Sequence, residues 1–176
     1  EGLLKSKFTM ASEIIVTKRH INTLRSLKVK GVTITDDKNE AVRKSEVVIL
    51  DVMPSQVNEM LQPIKHDLNK NKIFISVVTG TLISDMEAII ENKIPFFRAM
   101  PNTAIAIQQS MTCICSVNAK PGDIKYVNEL FKNLGEVVAI DEKLMEAATV
   151  LGACGIAYAL RFIRANIQGG IEIGFD

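Results

Sequence analysis

Apolar residues along this chain recur in two rhythms. Runs of strand length at 13–17, 31–35, 47–52, 73–78 and 95–100 alternate with the stretches 21–29, 36–44, 54–68 and 84–91, where apolar positions fall at helical spacing. Residues 1–8 read as the last turns of a helix. Ile21, Leu24 and Leu27 share one helical face, an Asp caps the 36–44 stretch, and Pro54 stands near a first turn, where its missing N–H is harmless. Ser84 and Glu87 have the spacing of a capping box. The strands are near-continuous Val and Ile, which predicts an α/β fold: a doubly wound parallel sheet covered by helices on both faces. Beyond residue 100 the pattern shifts. Alternation at 111–117 is less clean, 123–133 is a helix ended by Leu134-Gly135, and 136–140 is a strand. From Glu142 the spacing is helical almost to the end, so the organisation reads as 1–141 followed by a helical segment, 142–176.

A chain of 176 residues with 47% hydrophobic content builds one sizeable domain, or one domain and the start of another. The net charge of +1 gives no basic field for nucleic acid and no acidic tail. No apolar run approaches the roughly 18 residues of a membrane helix, and the opening EGLLKSKF has no signal-peptide core. Cys113 and Cys115 lie on one face of a strand and read as small apolar fillers; with Cys154 they make an odd number of thiols, as in a reducing cytoplasm.

In open α/β sheets, ligands bind beyond the carboxyl ends of the strands. The residues there are Thr17-Lys18-Arg19, Asp51-Val52-Met53-Pro54, Val77-Val78-Thr79-Gly80 and Met100-Pro101-Asn102-Thr103. A dinucleotide fold usually ends its second strand in an acid that holds the ribose diol, whereas an Arg there accommodates a 2′-phosphate. Thr17 offers a hydroxyl, Lys18 a point charge and Arg19 a planar fork, with no carboxylate in the segment to repel a phosphate. The alternative is a solvated loop of surface cations. No G-x-G-x-x-G precedes that strand; only Gly2 lies upstream. Asn102 has two readings, a contact to a nicotinamide or a turn cap. Thr79-Gly80 is either a close backbone approach to a ribose or an ordinary turn. Asp51 stands where a pyrophosphate would be repelled. His20 and His66 read as surface residues.

At RAMPNTA, residues 98–104, the sequence resembles pyrroline-5-carboxylate reductase, the last enzyme of proline biosynthesis. The family's Met-Pro-Asn-Thr-Pro reads here Met100-Pro101-Asn102-Thr103-Ala104, and its Ala-Val-Lys-Pro reads Asp51-Val52-Met53-Pro54. Its Ser-x-x-x-Gly turn reads Ser76-Val77-Val78-Thr79-Gly80. Its Gly-Ser-Gly-Pro-Ala-Tyr reads Gly152-Ala153-Cys154-Gly155-Ile156-Ala157-Tyr158. The resemblance implies a Rossmann-type dinucleotide-binding domain over 1–141, without its first strand and glycine loop, and the start of an all-helical dimerisation domain over 142–176. It implies an oxidoreductase using NADP, with a cyclic imine as substrate and a homodimer or higher homo-oligomer as the assembly. The cofactor would lie along Thr17, Lys18, Arg19, Val52, Met53, Pro54, Val77, Val78, Thr79 and Asn102. Glu142 matches a family position near the cofactor and is equally placed for a helix start. No proton donor is carried over. The absent glycine loop and Gly-Gly-Thr-Thr motif lead us to expect a fragment of a divergent member, inactive by itself. The departures also leave room for a non-catalytic scaffold, or for a related imine or keto reductase.

Overall fold

The computed structural model describes residues 1–175. Two parallel strands, β1 (Ile15–Thr17) and β2 (Thr33–Thr35), pair with Ile15 opposite Thr33 and Thr17 opposite Thr35. A separate five-stranded sheet has the order β3 (Val47–Leu50), β4 (Ile73–Ser76), β5 (Phe96–Met100), β6 (Ser110–Val117), β7 (Gly135–Ala139). Helix α1 (Gly2–Ser6) precedes β1, and helices α2 (Arg25–Val29), α3 (Lys38–Lys44), α4 (Val57–Ile64), α5 (Ile83–Ile90) and α6 (Pro121–Lys132) lie between strands.

The period of two along a strand builds both layers. Phe74 and Phe96 point to one face, their rings 4.8 Å apart, with Leu61 of α4 and Met86 and Ile90 of α5. Ile75 and Phe97, one residue on, point to the other face with Val127, Leu130 and Phe131 of α6. All of these are essentially removed from water. A doubly wound α/β architecture follows from that alternation.

The sheet is not wholly parallel. β3, β4 and β5 run together, but β6 is antiparallel to β5, with Met100 opposite Cys113, and β7 is parallel to β6. The link 101–109 is shorter than the dozen or so residues of a parallel crossover, so the chain returns beside β5. Helix ends also differ in detail. Asp37 caps α3 by accepting the Glu40 N–H at 2.9 Å. In α5 the box belongs to Asp85, which accepts the Leu82 N–H at 3.4 Å, and not to Ser84 and Glu87; Glu87 takes the Asn118 amide instead. Pro54 opens a 3₁₀ turn ahead of α4, and α4 stops at Ile64, one residue after Pro63. Pro63 has no N–H for the carbonyl of Glu59. Gly135 starts β7 at φ +141°, where an added Cβ would overlap the Ser110 backbone.

Beyond β7 the chain becomes an arm: a 3₁₀ turn (Glu142–Leu144), α7 (Met145–Ala148), a π-helical turn (Thr149–Cys154) and α8 (Gly155–Glu172). Leu151, Phe162 and Ile167 stand open to solvent. By length and composition the stretch Glu142–Glu172 could cross a membrane. That departs from the expectation of no such run: Arg161 and Arg164 break the stretch without removing its apolar character as a whole.

Candidate functional site

The carboxyl ends of β3, β4 and β5 share one edge because the three strands are parallel. An ion pair brings the end of β1 to the same edge. Arg19, just past β1, lies 3.1 Å from Glu59, which stands in the first turn of α4 soon after β3 ends. β1 therefore runs in the same direction as β3. Between the two strands lies a groove of about 740 Å³ whose walls include Thr17, Lys18, Asp51 and Val52. Met53, Pro54, residues 77–79 and Asn102 do not line it.

The presumed phosphate cluster thus has an acid beside it after all. It comes from α4, a distant segment of the sequence, so no inspection of 17–20 finds it. Both partners of Arg19–Glu59 are mostly exposed, and such pairs contribute about 0–1 kcal/mol. Lys38, at the start of α3, approaches the Glu59 carbonyl at 3.5 Å, the one left free by Pro63. The donor set at this corner, one hydroxyl and several cations, suits a ribose phosphate. A loop able to cradle a pyrophosphate is not found among the described residues.

The other strand ends are partly committed to structure. The Val77 N–H continues the ladder to Leu50 at 3.0 Å, and Val78 is buried in the core. Thr79 Oγ1 lies 3.9 Å from Met100 Sδ, and Gly80 turns the chain at φ +71°. Met53 is two-thirds exposed beside the edge. Asn102 behaves as a cap and a fastener: its Oδ1 accepts the Ala104 N–H, and its Nδ2 donates to the Gly152 carbonyl, both at 3.1 Å. That carbonyl sits in the π-helical turn, whose wider winding alters the helical hydrogen-bond pattern. The side chain of Asn102 therefore ties the sheet edge to the arm.

A second tie was not legible as such. Arg98, in the middle of β5, has a side chain only 3% exposed and donates from Nη1 to Glu142 at 2.8 Å. The same Glu142 oxygen accepts the Ile83 N–H at the start of α5, also at 2.8 Å. Glu142 begins its own 3₁₀ turn, as one of its two readings has it, while its side chain holds the start of α5 across the fold. The signal was an Arg inside the otherwise apolar FFRAM. Burial pushes the Cys113 and Cys115 thiols above their ordinary range, and for Cys115 the Glu142 carboxylate adds to the shift, so both stay neutral fillers.

Comparison with known proteins supplies the context for this edge. A family model described as NADP oxidoreductase, coenzyme F420-dependent, matches residues 1–80. Pyrroline-5-carboxylate reductase 1 of Dictyostelium discoideum is 39% identical, over 99% of this chain and 34% of that protein. Pyrroline-5-carboxylate reductase 2 of the same organism is 35% identical, over 99% of this chain and 64% of its own length. The chain therefore spans less than two thirds of these relatives. Among solved structures, a Plasmodium falciparum pyrroline carboxylate reductase with NADP bound superposes with a TM-score of 0.90 at 26% identity, over 99% of this chain and 64% of that one. One from Coxiella burnetii superposes at 0.91 with 23% identity, over 99% and 66%, a likeness of fold.

Proposed function

We infer that this chain is a member of the pyrroline-5-carboxylate reductase family and forms the NADP-binding part of an enzyme that reduces 1-pyrroline-5-carboxylate to proline. The observation that carries the reading is the likeness to named reductases through 99% of the chain. Bound NADPH would supply the hydride for the imine carbon. The protein's own task is then to hold and orient. Arg19, Lys18 and Thr17 would take the ribose 2′-phosphate, Arg19 exchanging Glu59 for it. The turns of Val52, Met53 and Pro54 and of Val77, Val78 and Thr79 would flank the rest of the cofactor. Asn102 would act at the nicotinamide end, by fixing the Met100–Thr103 turn against the arm more than by direct contact.

Residues 142–176 would begin a helical dimerisation domain. The apolar side chains on α8 have little cover among the described residues, and a second copy would supply it. The same burial accounts for the membrane-like composition of Glu142–Glu172 without a membrane. Three free thiols suit the reducing cytoplasm as the place of action.

The test is NADPH oxidation by the full gene product in the presence of 1-pyrroline-5-carboxylate, with proline measured as product. One proline per NADPH consumed is expected. Residues 1–176 by themselves should turn over no imine. Absence of turnover with this imine in the full product would overturn the reading.

A further inference from the structure

We propose that Arg98 and Glu142 are positioning residues: as a pair they fix the arm as a wall of the ligand crevice and set the nicotinamide end for hydride transfer. The role rests on the reductase reading above and involves no contact with cofactor or substrate.

A strand's period of two puts Phe96, Arg98 and Met100 on one face of β5, with Asn102 following in extended backbone. Phe96 and Met100 belong to the α4–α5 core layer. Arg98, between them, donates from Nη1 to Glu142 at the root of the arm. Asn102 donates to Gly152 further along it. The arm is thus fastened at residues 142 and 152 by one row of side chains from β5 and the turn after it. Met145, between the fastenings, is buried in the same core layer, and Ala153, beside the second, packs against that layer. Glu142 reaches a third segment as well. The oxygen that takes Arg98 also takes the Ile83 N–H, and Ile83 begins α5 soon after the Thr79–Gly80 turn. Thr79 in turn meets Met100 Sδ at 3.9 Å. One carboxylate therefore gathers the end of β5, the turn after β4 and the arm. These meet at the carboxyl edge of the sheet, where ligands of open α/β folds bind.

Stability does not explain the choice of these residues. Taking an Arg and a carboxylate out of water costs free energy that their attraction often fails to return, and apolar residues of similar volume commonly do as well. Arg98 also leaves its Nε without a partner among the described residues. What the pair supplies is direction. Apolar contacts such as those of Met145 permit sliding, whereas one oxygen shared by two donors at 2.8 Å admits a single placement of residue 142. Neither residue lines the groove beside Thr17 and Lys18, so capture of the phosphate end does not depend on them. Hydride transfer does, because the reacting atoms have to be held about 3–3.5 Å apart, and a misplacement of about 1 Å can lower the rate about a hundredfold.

The experiment compares the full gene product with Arg98→Met/Glu142→Gln, which removes both charges and keeps an acceptor for Ile83. In the folded double variant kcat for the imine should fall about tenfold or more. The NADPH dissociation constant, read by fluorescence titration, should change by less than about threefold. Hydrogen exchange of amides 149–154 should quicken about tenfold, with those of α6 unchanged. Glu142→Gln alone keeps both hydrogen bonds and should retain kcat within about threefold of the parent. Glu142→Asp keeps the charge, draws the oxygen back by one methylene and should lose kcat about as far as the double variant, so the test stands even if the double variant does not accumulate. A purely structural pair would shift the urea midpoint and leave kcat per folded molecule unchanged; that result overturns the proposal. Parent-like exchange at 149–154 in the double variant also overturns it, as does a loss of NADPH affinity as large as the loss of kcat. A parent inactive on 1-pyrroline-5-carboxylate would strike the reductase reading instead, and the exchange comparison would still decide whether the pair sets the arm.

Discussion

Removing the Glu142 carboxylate should be among the most damaging single changes outside the hydrophobic layers. In Glu142→Ala the Arg98 guanidinium stays in β5 with a side chain 3% exposed and loses the one charged partner it has among the described residues. Its Nε already has no hydrogen-bond partner among the described residues. The Ile83 N–H at the start of α5 loses its acceptor in the same step. Breaking a buried pair by deleting one partner costs about 3–5 kcal/mol. The Glu142 side chain is 28% exposed, so water can reach the vacated position; that puts the loss near the lower end, about 3 kcal/mol. For a chain of this size the loss corresponds to a fall in Tm of about 6–12 °C. Urea denaturation followed by circular dichroism measures it. Glu142→Gln keeps an acceptor for Ile83 and should cost less. The double variant Arg98→Met/Glu142→Gln removes both charges, keeps an acceptor for Ile83, and should come within about 1 kcal/mol of the parent. A Glu142→Ala loss below about 1 kcal/mol would refute this account. So would a double variant no more stable than the single one.

Four further outcomes are expected. Arg19→Ala in the full gene product should weaken NADPH by about 1–3 kcal/mol and NADH hardly at all; equal losses in the two titrations would remove the phosphate role. Gly135→Ala should prevent accumulation of folded protein, because φ is +141° and the obstacle is the Ser110 backbone, which cannot swing aside; normal expression and melting would contradict this. Iodoacetamide near pH 8 should modify the exposed Cys154 well before Cys113 and Cys115, whose thiols burial keeps protonated, as peptide mass mapping will read out. Leu160→Asp should shift the chain from dimer to monomer in sedimentation at micromolar concentration; a parent already monomeric, and unchanged by the substitution, would remove the α8 interface.

Much of the fold is legible along the chain because its causes are local. Adjacent apolar residues such as Phe74 and Ile75, or Phe96 and Phe97, can only serve opposite faces of a strand, so the sequence already calls for two covering layers. Asp37 caps α3 through a bond that spans three residues. The strand-end turns could be named as site candidates for the same reason. What tertiary structure alone decides is which distant segments meet. β6 reverses because of the reach of residues 101–109, a constraint that apolar rhythm does not record. Glu59 approaches Arg19 only once α4 is laid against the end of β1. Arg98 looks anomalous in FFRAM until Glu142, 44 residues on, arrives to neutralise it. The Asn102 amide, open to a ligand role in the sequence, is drawn to Gly152 by the packing of the arm. Periodicity reports the faces of each element, but a charge or an amide is satisfied by whatever the completed packing brings within about 3 Å.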